Sequence, residues 1–106
     1  MAAVDHAGYL QKSGGKLIKT NQTRYFELRG TNLYYFKSKP SAGEDALGCI
    51  DMNRAVIMDN PKERFSWTVS GPHLPKQYVL LAPSESEKNF WMQKLQNPNS
   101  ANTQQR

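Results

Sequence analysis

Arg24-Tyr25-Phe26-Glu27-Leu28-Arg29-Gly30-Thr31-Asn32-Leu33-Tyr34-Tyr35-Phe36-Lys37 reads as a single β-hairpin. Aromatic and aliphatic residues fill both flanks, as in half-buried strands, and Gly30-Thr31 is a compact turn. A turn there pairs Arg29 with Asn32, Leu28 with Leu33, Phe26 with Tyr35 and Arg24 with Lys37. Side chains alternate across a strand, so Phe26, Leu28, Leu33 and Tyr35 share the core side with Arg24 and Lys37. That face runs from apolar beside the turn to cationic at its far end. Tyr25 and Tyr34 face outward, alternating with Glu27 and Phe36.

Outward from the hairpin the chain continues as strands and turns. Tyr9-Leu10-Gln11-Lys12 is a short first strand ended by Gly14-Gly15, and Asn32 to Ser38 bounds the third. Leu47 to Met52, Ala55 to Met58, Phe65 to Val69 and Gln77 to Ala82 follow, with Phe65, Trp67 and Val69 in strict alternation. The period then changes. Ser84 stands three residues before Glu87, a capping box, and Trp91 and Leu95 lie one turn apart on one face. Asn97-Pro98 ends that helix after about three turns. Six or seven antiparallel strands must hide their edges by curling into a barrel or sandwich, and the helix is placed to plug an open end.

The totals set bounds. A chain of 106 residues with 38% hydrophobic side chains supports one domain with a single small core. No apolar run approaches the roughly 20 residues of a membrane span, and the first residues lack a signal-peptide pattern. Cys49 is the only cysteine, so no intrachain disulfide or thiol metal cluster is expected. Between Gly48 and Ile50 it reads as a small buried strand residue. A cytoplasmic protein fits this pattern.

The charge is one-sided. Residues 1–39 carry seven basic and two acidic side chains, whereas residues 40–106 balance, so the whole net charge of +5 lies in the first third. Lys12, Arg24 and Lys37 share the core-side parity, yet burying bare charges costs several kcal/mol each. They are therefore expected at a barrel mouth. Lys16 and Lys19 overhang it from the loop Gly14 to Gln22, and Tyr35 adds a hydroxyl. Arg supplies a planar fork and Lys a mobile point charge, the chemistry of a phosphate site. Leu17-Ile18, flanked by Lys16 and Lys19, suits insertion into a membrane interface.

These residues also carry a family resemblance. Gly8-Tyr9-Leu10-Gln11-Lys12, Arg24 to Leu28, Asn32 to Phe36, Leu47 to Met52 and the helical Trp91 resemble, in order, the landmarks of a pleckstrin homology domain. The resemblance implies a seven-stranded antiparallel, partly open barrel of two near-orthogonal sheets, capped by one C-terminal α-helix. The domain would span residues 7–97, between an N-terminal extension (1–6) and a disordered tail or linker (98–106). Members that bind phosphoinositides share a Lys ending the first strand, loop cations and a basic-x-Arg pair. Lys12, Lys16, Lys19 and Arg24 match these, and Tyr35 resembles the phosphate-contacting tyrosine. Gln22 and Leu47 depart, standing where strong binders carry cations, which weighs against tight, selective trisphosphate binding and not against phosphoinositide binding as such.

The function expected is a monomeric module that recruits its parent protein reversibly to anionic membranes through phosphoinositide headgroups. The alternative is a protein-interaction module, since related barrels add a peptide strand at a sheet edge. Nucleic acid is not expected, because no stripe of exposed cations accompanies Tyr25 and Tyr34. Nor is catalysis: His6 and His73 read as surface residues with no placed nucleophile or acid. No cofactor is implied, and two histidines with one cysteine make no zinc set.

Overall fold

The computed structural model describes residues 3–14 and 22–96. Seven strands precede one helix: β1 (His6–Gly14), β2 (Gln22–Arg29), β3 (Asn32–Phe36), β4 (Gly48–Asp51), β5 (Val56–Asp59), β6 (Ser66–Ser70), β7 (Tyr78–Leu81) and α1 (Glu85–Gln96). They form one hydrogen-bonded antiparallel sheet in the order β4-β3-β2-β1-β7-β6-β5. β1 belongs to both halves. It pairs with β2 from His6 to Lys12 and with β7 from Gln11 to Gly14. Among the described residues no ladder joins β4 to β5, so the curled sheet is left open there.

The hairpin forms as its sequence dictates. Arg29 faces Asn32, Leu28 faces Leu33 and Phe26 faces Tyr35. Phe26, Leu28 and Leu33 enter the core with Ile50, Trp67 and Leu80. The ladder stops at Tyr25–Phe36, however, and Lys37 stands exposed in the bend beyond it. The expected Arg24–Lys37 pair is therefore absent. The chain turns back at this point, and the Lys39 N–H donates to the Tyr9 hydroxyl at 3.1 Å. Phe36, expected on an open outer face, is instead buried. Tyr25 lies opposite it, and Tyr9 packs edge-on against Tyr25 with ring centroids 4.9 Å apart.

Ser84 caps α1 as its spacing requires. The Glu87 N–H donates to Ser84 Oγ at 3.2 Å, and the Lys88 N–H to the Ser84 carbonyl at 3.0 Å. Glu85 and Glu87 in the first turn and Lys94 in the last complement the helix dipole. Trp91 and Leu95 are fully buried, the indole lying over Gly8 of β1. Lys88 shares their inward face. Its ammonium pairs with the Asp59 carboxylate and donates to the Arg64 carbonyl at 2.9 Å, tying the helix to the end of β5.

Two further residues differ from the sequence reading. Cys49 is exposed, because Ile50 takes the inward position of the short edge strand β4 and Cys49 pairs outward with Tyr34. Partial burial of the thiol and then the nearby Asp51 charge push its pKa above the ordinary value, so exposure does not activate it. His6 is no surface residue. It opens β1 and sits half-buried between Phe90 and Trp91, its ring edge-on to both at 4.4 and 4.3 Å. The expected tail, residues 98–106, lies outside the described residues.

Candidate functional site

The site is built where β1 leaves the sheet. Lys12 lies opposite Gln22 of β2 on one side and Leu80 of β7 on the other. Its side chain runs inward, only 7% exposed, and its ammonium rests 5.0 Å from the centre of the Tyr35 ring. Burial, then the charges of Lys76 and Arg24, hold its pKa below the usual lysine range. No carboxylate or carbonyl pairs with it among the described residues. Lys88 is equally buried at 7% and has both. Among the described residues Lys12 is thus a buried cation among cations, lacking the partner that buried charge ordinarily requires.

Tyr35 is the floor. It stands opposite Gly48, and a Cβ at Gly48 would overlap the Tyr35 hydroxyl oxygen. The ring therefore lies flat across that glycine, and any larger residue would displace it. Phe26 supports the ring from the core side at 5.5 Å. Tyr78, buried at the start of β7, stands opposite Gly14. Burial and then the neighbouring Tyr35 push its hydroxyl pKa up, keeping it a neutral donor.

Arg24 is half-buried opposite Leu10, on the same face as Lys12. One of its nitrogens donates to the Thr23 carbonyl at 2.9 Å, and its other donors face no acidic partner among the described residues. Arg29, by contrast, is committed to the buried Glu27 at 3.0 Å on the outer face. Of the sequence-predicted residues, Lys12, Arg24 and Tyr35 come together and Lys37 does not. Lys16, Lys19, Leu17 and Ile18 lie outside the described residues. One cation was missed. Lys76, two residues before Tyr78, holds its ammonium 5.3 Å from the centre of that ring. Its parity with Tyr78 and Leu80 was the available signal.

A family model for the PH domain matches residues 4–98. The chain belongs to the PH domain family. A PH domain-containing protein of Dictyostelium discoideum is 30% identical over 98 residues, covering 90% of this chain and 21% of that protein. Mouse Sesquipedalian-1 is 34% identical over 98 residues, covering 89% of this chain and 35% of its own. This chain thus spans between a fifth and about a third of the curated relatives it matches. Among solved structures, the C-terminal PH domain of pleckstrin in complex with D-myo-Ins(1,2,3,5,6)P5, an inositol pentakisphosphate, superposes with a TM-score of 0.77. It is 25% identical, with 92% of this chain and 97% of that one covered. The PH domain of human oxysterol binding protein-related protein 11 gives 0.78 at 28% identity, covering 91% and 80%.

The PH fold is that of a non-catalytic module. His73 Nε2 lies 2.9 Å from the Asp51 carbonyl. Among the described residues no set of three His, Cys, Asp or Glu is placed to hold a metal. No helix there is long and apolar enough to cross a membrane.

Proposed function

We propose that this PH domain binds phosphoinositide headgroups at the barrel mouth and so brings its parent protein reversibly to anionic membranes. The uncompensated burial of Lys12 carries this reading. A cation held in place with no anion beside it among the described residues, flanked by Arg24 and a tyrosine floor, is preorganised for a ligand that supplies the negative charge. The pleckstrin relative captured with an inositol pentakisphosphate supports the same ligand chemistry. Lys16 and Lys19 would add long-range attraction of about 1 kcal/mol each near an anionic surface, and Leu17-Ile18 a shallow apolar anchor. Gln22, directly opposite Lys12, leaves one side of the site without a cation, so moderate affinity follows.

Vesicles of neutral lipid doped with each phosphoinositide in turn, sedimented at physiological salt, test the reading. Retention on phosphoinositide vesicles that is lost in Lys12→Gln is expected. Equal retention of wild type and Lys12→Gln on every vesicle would overturn it.

A further inference from the structure

β5 ends the sheet, and on its far side no strand pairs with it among the described residues. The Asn60 N–H donates to the Ser66 carbonyl at 3.3 Å, which fixes the phase of the β5–β6 ladder. Bonded and non-bonded pairs alternate in an antiparallel ladder. Met58 and Val56 therefore direct their backbone groups to β6, opposite Thr68 and Ser70, while Ile57 and Asp59 direct theirs to the open edge. Edges are usually blunted by Lys, Pro or a bulge, and Val56, Ile57 and Met58 supply none. The outward side chains are apolar instead: Val56 is 49% exposed and Met58 60%. The two ends of the strand differ in sign. Arg54, in the turn before β5, is exposed and has no acidic partner among the described residues. Asp59, at the other end, gives one oxygen to the Lys88 ammonium, and its side chain stays 70% exposed. Beyond it a cleft of about 600 Å³ separates the β5–β6 segment from α1, so the helix does not seal that end.

We propose that the β5 edge is a self-association surface, where a second copy of this chain adds its own β5 antiparallel to the first. The register follows from the strand. With Ile57 opposite the second copy's Ile57, the N–H of each meets the carbonyl of the other, and the Asp59 N–H reaches the second copy's Ala55 carbonyl. Val56 then stands opposite the second copy's Met58, and Met58 opposite its Val56, all on the outer face. A shift by two residues would leave one of these apolar side chains facing Arg54 or Asn60. Antiparallel alignment also sets Arg54 of each copy beside Asp59 of the other, so the two ends are complementary in charge. An unrelated extended strand would satisfy the backbone alone, whereas a second copy matches backbone, apolar pairs and charge together. Strands of four residues give a small contact, so the dimer is weak in solution. Confining two copies to one surface raises its occupancy.

Sedimentation equilibrium of the full chain up to about 1 mM, the weak end of measurable association, tests this with wild type, Met58→Lys, Arg54→Glu and Leu47→Lys. Leu47 is almost as exposed as Met58 but lies beside β4, so its variant controls for general stickiness. Wild type is expected to form dimers and nothing larger, since the contact closes on itself. Met58→Lys removes two apolar pairs at once and should weaken dimerisation about tenfold or more. Arg54→Glu sets two carboxylates together at each end and should weaken it several-fold, whereas Leu47→Lys should change nothing. All three substitutions fall at exposed positions and should keep the wild-type melting temperature. Amide NMR on dilution separates this contact from any other. The Ile57 and Asp59 N–H signals should shift with concentration, and those of Val56 and Met58, already bonded to β6, should shift less. Wild type that remains monomeric at the highest concentration overturns the proposal. So does a dimer that survives Met58→Lys, or one whose Ile57 and Asp59 amides do not respond. A monomer whose same two amides shift on adding a synthetic Thr-Val repeat peptide assigns the edge to a foreign strand, and also overturns the second copy.

Discussion

Lys12 and Lys88 are buried to the same degree, and replacing each by methionine should move stability in opposite directions. Met retains most of the stem's packing, being long, unbranched and adaptable. At Lys12 the change removes a desolvated charge repelled by Lys76 and Arg24, against a cation–π contact to Tyr35 of about 0.5–2 kcal/mol. Replacing buried ionic groups with apolar ones of similar volume runs from neutral to roughly 1–4 kcal/mol stabilising. At an open mouth the expected net gain is about 1 kcal/mol, or about 4–8 °C in a domain this size. At Lys88 the change leaves the Arg64 carbonyl without its charged donor and Asp59 without its partner. Hydrogen bonds to charged groups contribute roughly 1.5–3 kcal/mol, and the exposure of Asp59 puts the loss toward the lower end. Urea unfolding in a buffer free of polyanions measures both. Lys12→Met should unfold at higher urea than wild type while failing to bind inositol phosphates, and Lys88→Met at lower urea while binding normally once folded. Destabilisation of Lys12→Met to the extent of Lys88→Met would refute the view that Lys12 lacks a partner.

Gly48→Ala places a methyl where the Tyr35 ring lies. It should cost about 1–3 kcal/mol by overpacking and weaken inositol phosphate binding through the displaced floor, both readable by melting and calorimetry. Arg24→Ala should weaken vesicle binding with little effect on folding. Arg29→Ala should do the reverse, leaving the buried Glu27 unpaired at about 1–3 kcal/mol. His6 is held below its ordinary pKa, chiefly by burial, with Glu87 opposing and Lys94 adding to the shift. The unfolded chain therefore takes up that proton first as pH falls, and stability should decline below about pH 6.5. Urea midpoints across that range should show a shallower decline for His6→Leu.

What the sequence disclosed was local. The β2–β3 register follows from one turn and a two-residue period, and the α1 cap from Ser84 and Glu87. Parity then carried Arg24 and Tyr35 to the right face without further information. It failed where a local rule was extended past its element. Lys37 follows the β3 alternation on paper, but the strand ends at Phe36, where the chain folds back to Tyr9. Cys49 belongs to a strand of four residues, too short to fix its own parity. Parity put Lys76 on the face of Tyr78 and Leu80, but only the pairing of β7 with β1 brings that face to Lys12, and the Lys88–Asp59 tie needs the docking of α1. Both are non-local pairings that no window of sequence contains.

The β1–β7 ladder has a kinetic consequence as well. It joins the first strand to the last, so almost the whole domain must be synthesised before that contact can form. Pairings of such high contact order are slow to close, because loop entropy is lost before the contact rewards it. The β2–β3 hairpin can form early, but it holds only Arg24 and Tyr35. Lys12 gains its β7 flank, and Lys76 and Tyr78 reach the mouth, only when the last strand docks. A partly folded chain would present a basic hairpin with diffuse affinity for any polyanion. Discrimination among headgroups would emerge in the final folding step, together with the cooperative native state.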